Sequence, residues 1–218
     1  MSLTEAMEEQ WLDELYAEYK EVAIEEFTSQ RLQSFYLANP NIIQPLSQAL
    51  AEGKSLLANH PRAAFIFAAI AIEVGLKNLI LHPVVYGLVH SKSTADLITK
   101  IVMSHVSIEK FKKLLFHILN EHIGVDLETF TRSNAKKTLW KEADLIKKKR
   151  NAVMHEAVIV TSDEAQESLE VATFILESLF PKLLDKLGLV LDDNKLVMEK
   201  RKYEYEKFLD QDRTRKDA

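Results

Sequence analysis

The sequence predicts an all-α fold, a bundle of packed helices, on three observations. Only five glycines and five prolines punctuate 218 residues, too few for an architecture of strands and turns. Leu, Ala, Glu and Lys dominate the composition, and these residues favour helix. Apolar residues also recur at intervals of three and four in one segment after another. With 47% hydrophobic and 28% charged residues, the chain has an ordinary globular composition. Its length suits one well-packed domain with extensions.

Residues 5–28 predict a first helix with Trp11, Leu12, Leu15, Val22 and Phe27 at its apolar positions. Asn39-Pro40-Asn41 and Pro45 interrupt the pattern, and a second helix is expected from about Pro45 to Asn59. His60-Pro61 marks the next boundary, and Pro61 suits the first turn of a core helix. That helix is expected to run to about Leu81, where His82-Pro83 ends it. Its longest apolar run, Ala63 to Ile72, is shorter than a membrane span needs and reads as a helix buried on all sides within a bundle.

Residues 82–107 read as an insertion, with a loop at Ser91-Lys92-Ser93-Thr94 and a short helix from Ala95 to Met103. A helix over Ser107–Ile123 turns Phe111, Leu114, Leu115, Ile118 and Leu119 inward and stops at Gly124. The next is expected over roughly Asn134 to Met154, followed by a segment, Glu156 to Val160, of extended character. Thr161 and Glu164 have the spacing of a capping box and open the last core helix. Leu169, Ala172, Phe174, Ile175 and Leu179 form the apolar side of that helix. Pro181 leaves a kink and a stop both open, because the apolar pattern continues through Leu183, Leu184 and Leu187. Gly188 to Asp193 reads as a turn. From Glu199 onward the chain is mostly charged with Tyr203, Tyr205 and Phe208 interleaved, either a mobile helix or an arm docking on a partner. The expected organisation is one domain over residues 1–198, with its core at about 40–187, and a charged tail over 199–218.

The functional signal lies in Arg150-Asn151-Ala152-Val153-Met154-His155. Apolar residues recur at Leu139, Ala143, Ile146 and Val153, the stripe of an amphipathic helix. Arg150 completes that series, four residues after Ile146 and three before Val153, where a leucine would be expected. A guanidinium does not deprotonate, so burying it requires a paired anion or a wet crevice. A crevice would be functional, whereas a buried salt bridge would be structural, and the spacing alone leaves both open. Arg150 and His155 lie about 140° apart around an ideal helix, so they do not share one face. Either the helix frays before His155, or two copies bring their motifs together.

Arg-Asn-x-x-x-His at a helix end resembles the signature of the HEPN superfamily of small helical bundles. The upstream segment from Ala63 to Lys77, rich in small residues and with Glu73 and Lys77 four apart, is also similar to that family. The resemblance covers roughly residues 40–187. It implies a HEPN-like bundle, a four-helix core with extra N-terminal and inserted helices. It also implies a homodimer whose facing motifs form one composite cleft and cleave RNA without metal. In such a reaction the RNA 2′-hydroxyl is deprotonated, attacks the adjacent phosphate, and the leaving 5′-oxygen is protonated. His155, with a reference pKa near ~6.5, suits the proton transfers. Arg150 supplies permanent charge and forked donors for the phosphorane. Asn151 is assigned to orienting either partner, and the resemblance makes Glu73 a candidate to hold Arg150 or His155. A defence or toxin–antitoxin setting, with a cognate antitoxin as partner, is implied in the same way. Two alternatives stand beside this reading. One is a catalytically silent HEPN module that binds RNA, nucleotide or a partner protein. The other is a structural helical dimer in which Arg150 makes a buried ion pair.

Net charge is −5, which gives no global attraction for nucleic acid. Between Lys136 and Arg150, however, Lys136, Lys137, Lys141, Lys147, Lys148, Lys149 and Arg150 face only Glu142 and Asp144. Such a strip suits a phosphate-bearing ligand, and Lys141, Lys147, Lys148 and Lys149 are its candidate RNA contacts. A solvated lysine face is the plain alternative. The absence of cysteine excludes disulfides, thiol nucleophiles and clusters held by protein thiolates. No phosphate-binding glycine loop and no Gly-x-Ser-x-Gly elbow is present. His117 and His122 are five apart and lack the four-residue zinc spacing, and no ligand spacing links His82, His90 and His105. No metal and no cofactor is expected. The first residues lack the basic region and apolar core of a signal peptide, so a cytoplasmic protein with no membrane association is expected.

Overall fold

A computed structural model describes residues 29–88, 116, 120, 124, 126, 129–133 and 135–216. The expected helices at 5–28 and Ala95–Met103 and the loop at 91–94 lie outside the described residues, as does most of Ser107–Ile123. The described chain is mostly helical with one small sheet, an all-α architecture. Helix α1 covers 29–38, α2 Gln44–Leu56, and α3 Pro61–Val74. A π-helical segment, Gly75–Leu81, carries the chain from α3 into α4, His82–Leu88. After the irregular residues 129–133 and 135–138 come α5, Leu139–Glu156, and α6, Ser162–Phe174. A second π-helical segment, Ile175–Leu179, leads into α7, Phe180–Lys186. Strands β1, Leu189–Leu191, and β2, Val197–Glu199, pair antiparallel with Val190 opposite Met198, and α8 runs from Lys200 to Lys216.

Helix α3 packs against α2, α5 and α6. It can do so because small residues punctuate its apolar run: Ala64, Ala68, Ala69 and Ala71 are all buried. One turn on, a Cβ at Gly75 would sit 2.6 Å from Leu46 Cδ1 and 3.0 Å from Ile175 Cγ2. Glycine thus lets the two π-helical segments and α2 converge, and a side chain there would have to displace Leu46 and Ile175.

Both helices that meet an internal proline pass through it. The expected end at His82-Pro83 is corrected, since the helix continues to Leu88. At Pro181 likewise there is no stop. Proline lacks the N–H for the bond to residue i−4 and its ring crowds that carbonyl. In each case the turn before the proline has widened to π geometry, which moves the carbonyl ladder out of register with the proline ring. An α-helix would pair the Leu79 carbonyl with the N–H that Pro83 lacks. That carbonyl accepts a hydrogen bond of 2.5 Å from the buried Tyr36 hydroxyl. Burial pushes the Tyr36 phenol well above its ordinary pKa, so it remains a donor.

The helix over Pro61–Val84 is longer than the run Ala63–Ile72 suggested. By length and composition it would cross a bilayer, with mean hydropathy 2.0 in its most apolar window, and 59% of that window is buried inside the protein. The turn expected at Gly188–Asp193 is corrected to a β-hairpin. Leu189 and Val197 are buried, and Lys195 takes the positive φ of 61° at the connection. Asp192 Oδ1 accepts the Leu196 N–H at 2.7 Å and closes that connection.

Helix α5 begins later and ends later than the sequence suggested. Thr138 precedes it, where the sequence suggested a start near Asn134, and its hydroxyl accepts from the Lys141 N–H. At the other end Ala157 adopts the left-handed conformation, φ 54°. The expected capping box is present at α6, where Thr161 and Glu164 satisfy each other's backbone N–H groups. A small apolar cluster of Phe65, Val153, Val160 and Ala165, with Ile66, Ile146 and Val158 against it, fixes the end of α5 to α3 and α6. Phe116, a helical residue, is buried edge-on against Trp140, with ring centroids 5.0 Å apart. Gly124 has φ 64° and donates to the Asn120 carbonyl, a left-handed helix end.

Candidate functional site

Leu139, Ala143 and Val153 of the stripe on α5 are buried, and Ile146 packs against both apolar clusters. Arg150 shares their face. Its side chain is 35% exposed and reaches across to α3, Nη2 lying 3.4 Å from Glu73 Oε2. Nη1 donates to Asn151 Oδ1 at 3.0 Å. Glu73 is also bridged by Lys77, one turn along α3. Half-burial raises the Glu73 pKa. The Lys77 hydrogen bond and charge, with the charges of Arg150 and Lys147, outweigh that and hold the carboxyl below its ordinary value. The Glu73 carboxylate thus feels three cations at the α3–α5 seam.

The structure brings Glu73, Arg150 and Asn151 together. It leaves His155 exposed, and α5 is α-helical through Glu156, so the motif does not fray before the histidine. Within one copy, His155 and Arg150 therefore leave the helix about 140° apart. Met154, one turn beyond Arg150, is 62% exposed, and Ile70, one turn before Glu73, is also exposed. Ile159, just past the end of α5, is 77% exposed. The seam at the end of α5 is thus a charged pair with exposed apolar side chains beside it.

The candidate RNA-contacting lysines are engaged with carboxylates on α3, α5 and α6. Lys148 Nζ is 2.9 Å and Lys141 Nζ 3.9 Å from Asp144 Oδ2. Lys149 bridges Glu164, the capping residue of α6, and its hydrogen bond keeps that carboxyl below its ordinary pKa. Lys147 lies close enough to Glu73 to act on its charge. The strip is therefore a row of cations threaded with carboxylates, and it also ties α5 to α6.

Sequence reasoning missed the most buried charge in the described chain. Glu142 on α5 is 7% exposed, and Arg132 grips both its oxygens, Nη2 at 2.8 Å and Nε at 2.9 Å. Arg132 Nη1 also reaches Glu170 of α6 at 3.4 Å. Donating to Glu142 raises the Arg132 pKa above its ordinary value. The signal was present: Glu142 is three residues after Leu139 and four before Ile146, the spacing that singled out Arg150. Beside this network a groove of about 610 Å³ runs along α6, lined by Lys54, Arg132, Gln166, Glu170, Thr173 and Phe174 among others. Among the described residues no three His, Asp or Glu side chains are grouped to hold a metal ion. His82 packs against Phe35, and His90, His105, His117 and His122 lie outside the described residues.

Compared with protein-family models, characterised proteins and solved structures, the chain matches none.

Proposed function

We propose that this chain is a HEPN-type helical bundle that cleaves RNA without metal as a homodimer, Arg150 and His155 being supplied to one cleft by facing copies. The observation that carries this reading is Arg150 itself. It occupies a core position of α5, yet it is partly solvated and is one of three cations acting on the Glu73 carboxylate. Such a group suits the extra negative charge of a phosphorane. His155, exposed on the far side of the same continuous helix, suits proton transfer once a partner's arginine faces it. Two-fold pairing along this seam would bury Met154 and Ile70. Asn151 orients Arg150 by the hydrogen bond already in place, and Glu73 holds it from α3. Lys147 and its neighbours Lys141, Lys148 and Lys149 would grip the RNA backbone by exchanging carboxylates for phosphates. A cytoplasmic setting in defence or toxin–antitoxin biology, with an antitoxin as partner, belongs to the same proposal.

A second reading is favoured by the pairs themselves. Arg150 holds Glu73, while Lys141, Lys148 and Lys149 hold Asp144 or Glu164, as in a silent module or a structural dimer. Purified protein incubated with mixed RNA in chelator separates the two. The expected result is cleavage leaving 2′,3′-cyclic phosphate ends, abolished in His155→Ala while fold and dimer persist. Equal cleavage by both proteins indicates a contaminating nuclease. No cleavage by a dimer of the native chain refutes the enzyme and leaves the silent module.

A further inference from the structure

We propose that the acidic N-terminal segment, residues 5–27, docks on the exposed face of α8 in the same chain. The first observation is where the charge lies. Residues 1–28 hold nine acidic residues and one lysine, a net −8. Helix α8 holds seven basic and four acidic residues, a net +3. The remaining residues balance to zero, so the whole negative charge of the protein belongs to its first 28 residues.

The second observation is that α8 leaves its apolar side chains uncovered. Tyr205 is 62% and Phe208 65% exposed, and Leu209 is exposed beside them, a stripe at i, i+3 and i+4. Near its start Lys200 bonds Asp185 of α7, and Tyr203 and Lys207 both reach Asp193 of the hairpin. Most helical stability in a protein comes from packing an apolar face, and Tyr205, Phe208 and Leu209 of α8 are left unpacked. Lys200, Arg201 and Lys202 also occupy its first turn, where the helix dipole opposes positive charge. An acidic, amphipathic partner offsets both defects at once. A second copy of α8 does not, because two helices of net +3 repel.

The third observation is proximity. Gln33 of α1 lines a cavity of about 490 Å³ with Gly188 and with Glu199, Lys200, Arg201 and Glu204 at the start of α8. The segment before residue 29 therefore joins the fold about one turn from the base of α8. Its apolar positions Trp11, Leu12, Leu15 and Val22 supply the complement to Tyr205 and Phe208. A tether this short makes the contact effectively a high-concentration one within a single chain.

Hydrogen exchange followed by mass spectrometry on the full chain tests the docking. In the native chain, peptides from residues 5–27 and from 203–216 should both be protected, equally at low and high protein concentration. Phe208→Ser should raise exchange about tenfold or more in both regions and leave α2, α3 and α6 unchanged. Phe208→Leu should restore protection, and 0.5 M salt should weaken it, roughly as screening of exposed charges requires. Phe208→Ser that loosens α8 alone, or residues 5–27 that exchange freely in the native chain, would overturn the proposal. Protection that grows with protein concentration would overturn it too, because docking would then be between chains.

Discussion

Arg132→Leu is the most informative single change for the architecture around the candidate site. It removes the partner of a carboxylate that is 7% exposed and held by two bonds of 2.8 and 2.9 Å. Breaking a buried pair from one side costs about 3–5 kcal/mol, because the remaining charge is left without compensation. The Arg132 side chain is itself 15% exposed, so water reaches part of the network and the lower end applies. A loss of about 3 kcal/mol lowers the Tm of a chain of this size by roughly 6–12 °C. Glu142→Leu should be milder, since Arg132 keeps Glu170 at 3.4 Å. The double variant Arg132→Leu/Glu142→Leu should return to within about 1 kcal/mol of the native protein, because apolar side chains replace such pairs well. Urea unfolding of the four proteins, followed by circular dichroism, measures the cycle. A loss below about 1 kcal/mol in Arg132→Leu, or a double variant no better than that single one, would refute the assignment of Glu142 as a buried, pair-dependent charge.

Three further outcomes follow from the same structure. Tyr36→Phe removes the buried donor to the Leu79 carbonyl and should cost about 1–2 kcal/mol in urea unfolding, whereas a neutral result would show that carbonyl to be satisfied within its own helix. Ala157→Gly relieves a left-handed alanine and should stabilise the protein by about 0.5–1 kcal/mol, and an unchanged urea midpoint would contradict the strain argument. The folded pKa of Glu73 lies below its unfolded value of 4.5, so its contribution is present above that pH and is lost as pH falls through the folded value. Native protein should therefore lose its stability advantage over Glu73→Gln between roughly pH 5 and pH 3, and a difference constant across that range would mean the carboxylate is not preferentially charged in the fold.

What the sequence by itself determined is what neighbouring residues decide. Pro61 at a helix start, the capping box of Thr161 and Glu164, and the core-facing stripe of α5 are set by interactions within four residues. The all-α class follows from the same periodicities. That Arg150 would sit on the inward face was legible for this reason, and Glu142 was legible by the same rule. Their partners were not. Arg150 meets Glu73 from 77 residues away, Tyr36 meets Leu79 from 43 away, and Arg132 meets Glu170 from 38 away. No local spacing encodes such pairs, because they exist only once helices have packed. The prolines make the same point. Pro83 read as an end and Pro181 as either a kink or a stop, because each removes a local hydrogen bond, and only the packed structure supplies what carries the helix past them. A widened π turn precedes each, Tyr36 serves the carbonyl left by the first, and Gly75 lets the two turns approach. The hairpin at Leu189–Glu199 was likewise decided by packing, since two three-residue strands are too short to stand without the core that buries Leu189 and Val197.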